Sequence, residues 1–572
     1  MTDPASPPLP LAAPPAKQQD DGGERGGGKA ADAANDANAN ASSPPPAEFG
    51  ADDLTPRQFA RVQAALCLGS GIEWYDLAVF GAQAAVITPL FFPPSASGPT
   101  QALYYWGVFA MSFITRPVGS LVLGSVGDRW GRRPALLASL VGMAVPTILI
   151  GALPTYAQAG IAAPILMALL RAIQGLAMGA EFSTAMLMSV ELAPRGRRGL
   201  FGSLTFMSSL LGISLANSVV LILTVALTPE QMNVWGWRVP FLLTTVSALG
   251  AFVLRMHLPE PRVWRRACVV VEEEEEKKGG GIKTESGDEK TRATPPPRHR
   301  ARHTSGSPIV KLLKRSWPQV LLQTFYEAWM SVTFYLLVLW LPTAVLQQKH
   351  LMGVEASGAT TIASLILMAP FCLLSGHAHD VLRSPRKCVL VGMVAIALGT
   401  AVAVPGFLSL GRASRDALAL GPTAVAPPLE QASAALFQAG MLALAGFALG
   451  MIPALCADLY AADHRVVSFS LAHNLSMAIL GGTSPLAVAA MAARGQTAVG
   501  RAMAAPGVYI AAAGVASLVA AGVLATWAPR WFVAEGGEEK GGAERPLAAV
   551  VVVAAAAGKE AEDENDGRAV AA

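Results

Sequence analysis

About twelve stretches of this chain are each long and apolar enough to cross a lipid bilayer, and that repetition constrains its fold more than any other feature. A spanning helix needs roughly 20 predominantly apolar residues, because in hydrocarbon only a helix or a closed barrel satisfies every backbone polar group. The stretches fall at about 61–90, 102–125, 134–153, 161–190, 200–227 and 238–258, then at 318–346, 357–378, 388–409, 433–459, 466–491 and 506–527. Only 15% of the residues are charged, against about 25% in an ordinary soluble domain. The chain therefore reads as an all-α polytopic membrane protein.

The two sets of six are separated by the acidic run Glu272 to Glu276, a Gly-rich mixed-charge stretch and a basic, Pro-rich segment ending near His303. This organisation predicts a disordered N-terminal tail (1–58), a first six-helix half (59–258), a largely disordered linker (259–316), a second half (317–528) and a disordered C-terminal tail (529–572). The N-terminal tail lacks the apolar core of a signal peptide. A net charge of +3, scattered over tails and loops, argues against a nucleic-acid partner. The five cysteines are odd in number and dispersed, so neither a disulfide framework nor a metal site is expected. No nucleophile–base pair or phosphate loop appears, so no catalytic residues are assigned and the chain is not expected to be an enzyme.

Orientation follows from the loops. In Gly124 to Pro134, GSVGDRWGRRP, an Asp and three arginines crowd a turn between two apolar runs, so this must be a short water-facing loop joining antiparallel helices. Counting from the first helix, Arg129, Arg132 and Arg133, Arg195, Arg197 and Arg198, and Arg383, Arg386 and Lys387 all fall on one side. The positive-inside rule makes that side, both termini and the linker cytoplasmic, with the plasma membrane as the default location. A loop at 410–432 carrying Arg412 and Arg415 is an exception on the outer side.

Ionisable residues within spans mark function, since each costs about 2.5–3.5 kcal/mol at mid-helix even on lenient scales. Glu73 and Asp76 lie three apart on one face of the first helix. Arg116 interrupts the second helix, the fourth carries Arg171 and Glu181, and the seventh carries Glu327, while His473 and Asn474 lie in the eleventh. Opposite charges on neighbouring helices suggest buried pairs, and making and breaking such a pair is a physical route to proton uptake and release.

Several motifs then bear a family likeness. GIEWYDLAVFG, FITRPVGSLVLGSVGDRWGRRP, RAIQGLAMGAEFSTAMLMSVELAPRGRRGLFGS, WGWRVPF, LPEPRVW and IPALCADLYAADHRVVSFSLAHNLSMAILGGTSPL together resemble the metabolite:proton symporters of the major facilitator superfamily, over nearly all of 69–527. That group includes proline/betaine, 2-oxoglutarate, citrate and shikimate transporters. The resemblance implies twelve transmembrane helices in two pseudo-symmetric halves that rock around a midplane site. It casts Gly124, Asp128, Arg129, Gly131, Arg132 and Arg133 as a gating motif, with Glu191 and Arg195 as partners. Asp76 and Arg171 match positions used for protonation and its partner; Glu73, Arg116 and Glu181 match substrate or proton-path residues, and Asn474 matches a helix-eleven motif. The second-half echo, SGHAHDVLRSPRK, keeps Asp380 but loses the glycine before the last basic pair, and Glu327 has no counterpart.

The expected function is proton-coupled symport of a small organic acid or zwitterion of the dicarboxylate, 2-oxoglutarate, proline or betaine class. The proton is the coupling ion, no cofactor is required, and the partners are substrate, protons and the bilayer around a monomer. The alternatives are a facilitated uniporter and a non-transporting sensor on the same fold.

Overall fold

A computed structural model describes residues 55–261, 307–342, 351–420, 425–494 and 499–527. Ten helices within it are long and apolar enough to span a membrane. They are α2 (Thr100–Arg129), α3 (Arg132–Ala152), α4 (Ala162–Glu191), α5 (Arg198–Ala226), α6 (Gly236–Arg255), α8 (Val354–Leu382), α9 (Pro385–Ala417), α10 (Pro428–Leu459), α11 (Arg465–Met491) and α12 (Ala505–Thr526). The two remaining expected spans are also helical: α1 is Pro56–Ala82, and α7 runs from Pro308 to Trp340 as consecutive helical segments. These two carry Glu73, Asp76 and Glu327. Buried carboxylates lower the apolar character of a helix that must stay in the membrane, which is a reason to look there for function.

Local signals set several boundaries. Thr55 and Gln58 form a capping box that starts α1 within the expected tail, with Pro56 in its first turn. The start of α7 lies inside the expected linker, because Leu312 is buried and Lys311 pairs with Asp463 at 2.9 Å, so the chain is already packed there. The expected loop at 410–432 begins late: Leu410, Ala413 and Ala417 are buried at helical spacing and extend α9, with Arg412 and Arg415 on its exposed face. The rest of the expected tails and linker lies outside the described residues.

Within the first six helices, α1 packs on α5 and α6, and α4 packs on α2 and α3. Glycine permits the closest approach: a Cβ at Gly212 of α5 would sit 1.9 Å from the Gly71 carbonyl oxygen of α1. Small residues let backbones meet where no hydrophobic effect drives association. Among the last six, α9 packs on α12, and α8 and α9 both pack on α10. The two sets meet along α2 with α11 and α5 with α8. The outer surface is apolar, with Ile222, Val246, Leu249 and Leu436 all more than 60% exposed. In water such a surface would be an aggregation liability; in a bilayer it is the lipid contact.

Candidate functional site

Five of the expected charges, Glu73, Asp76, Arg116, Arg171 and Glu181, are buried in the interior of the first half. Asp76 is 1% exposed and accepts a hydrogen bond from Thr244 of α6, while the hydroxyl of Thr147 of α3 lies 3.4 Å away, its single hydrogen shared with the Met143 carbonyl at 2.9 Å. Gln174 Nε2 donates to Thr147 Oγ1 at 2.8 Å, and Arg171 Nη1 donates to Gln174 Oε1 at 2.6 Å. Arg171 also donates to Ser112 and lies over the Phe80 ring at 4.4 Å. The acid and the base are therefore joined by a relay of neutral groups, and the direct ion pair expected from the sequence is absent. Threonine hydroxyls bond the carboxylate, while an amide, the Ser112 hydroxyl and an aromatic face engage the guanidinium, whose Nε has no hydrogen-bond partner.

Opposite charges on neighbouring helices were expected to form buried pairs, and Glu181 does so with a cation the sequence reading did not name, Arg255 at the end of α6. The guanidinium of Arg255 passes α1 at Gly69, where a Cβ would fall 1.8 Å from its Nη2. Arg116 instead donates to Met178 Sδ at 3.4 Å and stacks 4.7 Å over Phe113. Glu73 is fully buried with neither carboxylate oxygen hydrogen-bonded, and Glu181, Arg116, Arg255 and Asp76 are the charges around it.

In the second half, Glu327 Oε2 bonds His473 Nδ1 at 2.6 Å, and Gln323 Nε2 donates to Glu327 Oε1 at 2.6 Å. Tyr460 OH donates to Gln323 Oε1 at 2.7 Å and closes the cluster. Asn474 spans the halves by donating to the Gly179 carbonyl at 2.5 Å, a group freed where α4 breaks at Gly179 and Ala180. Aromatic pairs fill the space between the halves: Trp74 with Phe334, Phe113 with Tyr335, and Phe182 with His473. The buried charges are thus sealed in. A groove of about 990 Å³ between α1, α5 and α6 and another of about 780 Å³ between α8, α9 and α10 both open on the apolar outer surface, away from these charges.

At one end of the molecule the gating motif binds the other half. Asp128 accepts from the backbone amides of Val466 (3.1 Å) and Val467 (2.9 Å), the start of α11, and from Arg132 (3.0 Å). The carboxylate meets the positive end of a helix. Arg132 also reaches Glu191 at 3.4 Å, and Glu191 bonds Arg465 at 3.0 Å. Gly131, at φ +112°, turns the chain so that the Arg132 and Arg133 amides both donate to Glu260 at 2.9 Å. On the α5 and α8 side, Asp380 accepts from the Gly199 and Leu200 amides, and Arg198 bonds Asp458 at 2.9 Å. Beside this latch, Asp463 bonds His464 at 2.6 Å and Lys311. Partial burial pushes its carboxyl up, but these partners outweigh that and hold it well below the usual carboxylate range.

The sugar (and other) transporter family matches residues 62–527. The chain belongs to that family. It is therefore a multi-pass membrane transporter of the major facilitator superfamily and not an enzyme. It is 39% identical over 206 residues, 36% of this chain, to the inner membrane metabolite transport protein YhjE of Escherichia coli K12, a match that spans 47% of that relative. It is 29% identical to the citrate-proton symporter of Klebsiella pneumoniae over 75% of this chain and 84% of that protein. The solved proton:xylose symporter XylE superposes with a TM-score of 0.63 at 15% identity, covering 82% of this chain and 96% of that one, which establishes the shared fold.

Within this transporter, the structure joins Asp128, Arg132 and Glu191, and places Gly124 at the α11 contact, where a Cβ would meet Val467. Arg195 does not enter that cluster through Glu191, which is engaged by Arg132 and Arg465; it lies exposed in the turn after α4. Arg129 and Arg133 are half-buried at the same end. Sequence reasoning missed Thr147, Thr244, Glu260 and above all Arg255. For Arg255 a signal existed, since a lone arginine in the last turn of an apolar span is itself a functional mark. The threonines carried none, because a hydroxyl in a membrane helix commonly bonds its own backbone.

Proposed function

We infer that the chain is a proton-coupled symporter of a small organic acid or zwitterionic metabolite, of the dicarboxylate, 2-oxoglutarate, proline or betaine class, working by alternating access. The observation that carries this is the sealed relay Asp76, Thr147, Gln174, Arg171: a buried carboxylate beside threonine hydroxyls, two neutral side chains away from a buried guanidinium bonded to an amide. Protonating Asp76 ends its pull on the shared Thr147 hydrogen, which then turns wholly to the Met143 carbonyl, and the reoriented hydroxyl passes the change to Gln174 and Arg171. A substrate carboxylate competing for Arg171 is thereby coupled to the proton on Asp76. Glu73, with no hydrogen-bond partner of its own, is suited to meet an ammonium group or a second proton. In this reading the transporter needs no cofactor, binds no nucleic acid, acts as a monomer and lies in the plasma membrane. Its latch end, rich in arginine, faces the cytoplasm together with both termini.

The test is uptake by proteoliposomes of radiolabelled succinate, 2-oxoglutarate, citrate, proline and glycine betaine under an imposed pH gradient. The expected result is gradient-driven accumulation of at least one, with external alkalinisation, lost in Asp76→Asn. Uptake that ignores the gradient and survives Asp76→Asn would identify a uniporter, and binding without counterflow a sensor.

A further inference from the structure

The Glu327 and His473 pair stands apart from the Asp76 relay, on α7 and α11 of the second half. Both residues are buried, at 1% and 4% exposed. The carboxylate is fully engaged, one oxygen with His473 Nδ1 and the other with Gln323. What is left over is Nε2 of His473, buried and without a hydrogen-bond partner. The ring lies 5.4 Å from Phe182 of the first half and 6.2 Å from Phe469 of its own helix, so it sits at the seam that must part when the carrier changes state.

A carboxylate on Nδ1 fixes the tautomer: Nδ1 carries the hydrogen, and the lone pair stays on Nε2. The titratable and charged groups on the elements around it are Glu327 and Tyr326 on α7, Cys456 and Tyr460 on α10, Arg116 and Asp128 on α2, and Glu181 on α4 with its partner Arg255. Among these, Asp128 is occupied by the latch and Glu181 by Arg255, while Glu327 alone contacts the imidazole. The pair is therefore a base with its counter-ion already installed and one open valence facing the interface.

We propose that the Glu327–His473 pair is a second proton site of this transporter, which loads at Nε2 when the seam opens and then offers the new N–H to an anionic group between the halves. One N–H bond forms at the Nε2 lone pair and one O–H bond of hydronium breaks, releasing water. The imidazolium charge is balanced by Glu327, and the same proton leaves to water on the opposite side. The purpose of the site rests on the symport reading above, but its detection needs no substrate.

The test counts protons taken up by the full-length chain in lipid nanodiscs on a jump from mildly alkaline to mildly acidic pH, with a soluble pH dye as the probe. His473→Gln should lower the uptake by about one proton per chain. Glu327→Gln should lose the same proton, because a buried imidazolium without its carboxylate is not formed. The double variant should lose no more than either alone, and Asp76→Asn should add an independent loss. Unchanged uptake in His473→Gln, or additive losses for His473→Gln and Glu327→Gln, would overturn the proposal. Nitrogen-labelled histidine spectra of the unmutated chain guard against a variant that does not fold: a buried histidine must change protonation at Nε2 while Nδ1 keeps its hydrogen, and absence of such a signal also overturns it. If no panel compound is transported, the symport reading fails while the proton count can still succeed; the reverse outcome separates them equally.

Discussion

Asp128 and Asp380 stand in the two halves at corresponding ends of α2 and α8, and each sends its carboxylate across the interface to the first amides of a helix in the opposite half. Asp128 takes the amides of Val466 and Val467, and Asp380 those of Gly199 and Leu200. Three residues after each aspartate the backbone turns through a left-handed conformation, at Gly131 (φ +112°) and at Arg383 (φ +49°). Four residues after, the halves diverge. Arg132 bridges back to Asp128 and on to Glu191, whereas Ser384 has no charge to offer Asp380. The device common to both halves is thus a carboxylate on helix N-terminal amides with an arginine–carboxylate pair beside it, and what the described residues show at the first alone is an arginine, Arg132, joining the latch carboxylate to that neighbouring acid. The second-half motif looks degraded as a string of letters, yet it keeps the backbone turn and the amide contact.

The largest effect should come from Asp128→Ala. It strands two buried amides and removes one carboxylate from a buried arginine, and breaking such a pair costs about 3–5 kcal/mol. Transport should slow by an order of magnitude or more while equilibrium substrate binding is largely kept; a pure affinity loss would show that the latch and the binding site have been assigned the wrong way round. Asp380→Ala should cost less, about 1–3 kcal/mol, since it gives up the two amide bonds with no arginine left behind. Equal losses of thermal stability in the two variants would mean that the guanidinium network is not what distinguishes the latches.

Asp463→Asn tests the support beside the first latch. A carboxyl held below its unfolded value of about 3.9 contributes stability that is full above that pH and lost as pH falls through the lower folded value. The variant should therefore melt earlier than the parent at neutral pH, and the gap should close in acid. A gap independent of pH would show that the ion pairs with Lys311 and His464 carry no weight. The smallest effect belongs to Arg383→Gly. Relief of about 1 kcal/mol of left-handed strain is offset by about 0.5–1 kcal/mol of glycine's extra unfolded freedom, so the melting temperature should barely move. A marked drop would show that the Arg383 side chain, and not the turn alone, supports the second latch.

How much was legible in the letters varies with distance along the chain. The spans were readable because hydropathy is a local sum, and the first latch because Asp128 and Arg132 sit one helical turn apart. The partner of Glu181 was not legible, because Arg255 is on another helix and reaches it only past Gly69. Asp76 and Arg171 were correctly singled out as buried charges but wrongly expected to touch, since Thr147, Gln174 and Thr244 intervene.

The sequence by itself determined that this is a membrane protein of helical spans, where the charged turn lies, and which few residues carry charge into the hydrocarbon. Those properties follow from transfer free energies of contiguous segments, which any neighbour leaves unchanged. Only the tertiary structure decided which charge meets which. Pairing in a membrane interior depends on helix rotation, on the gaps that glycines leave between backbones, and on hydroxyl and amide groups whose role is set by what comes within hydrogen-bond reach. Glu327 shows this most plainly: in the sequence it is a solitary carboxylate, and in the folded transporter it is half of a buried pair with a histidine 146 residues away.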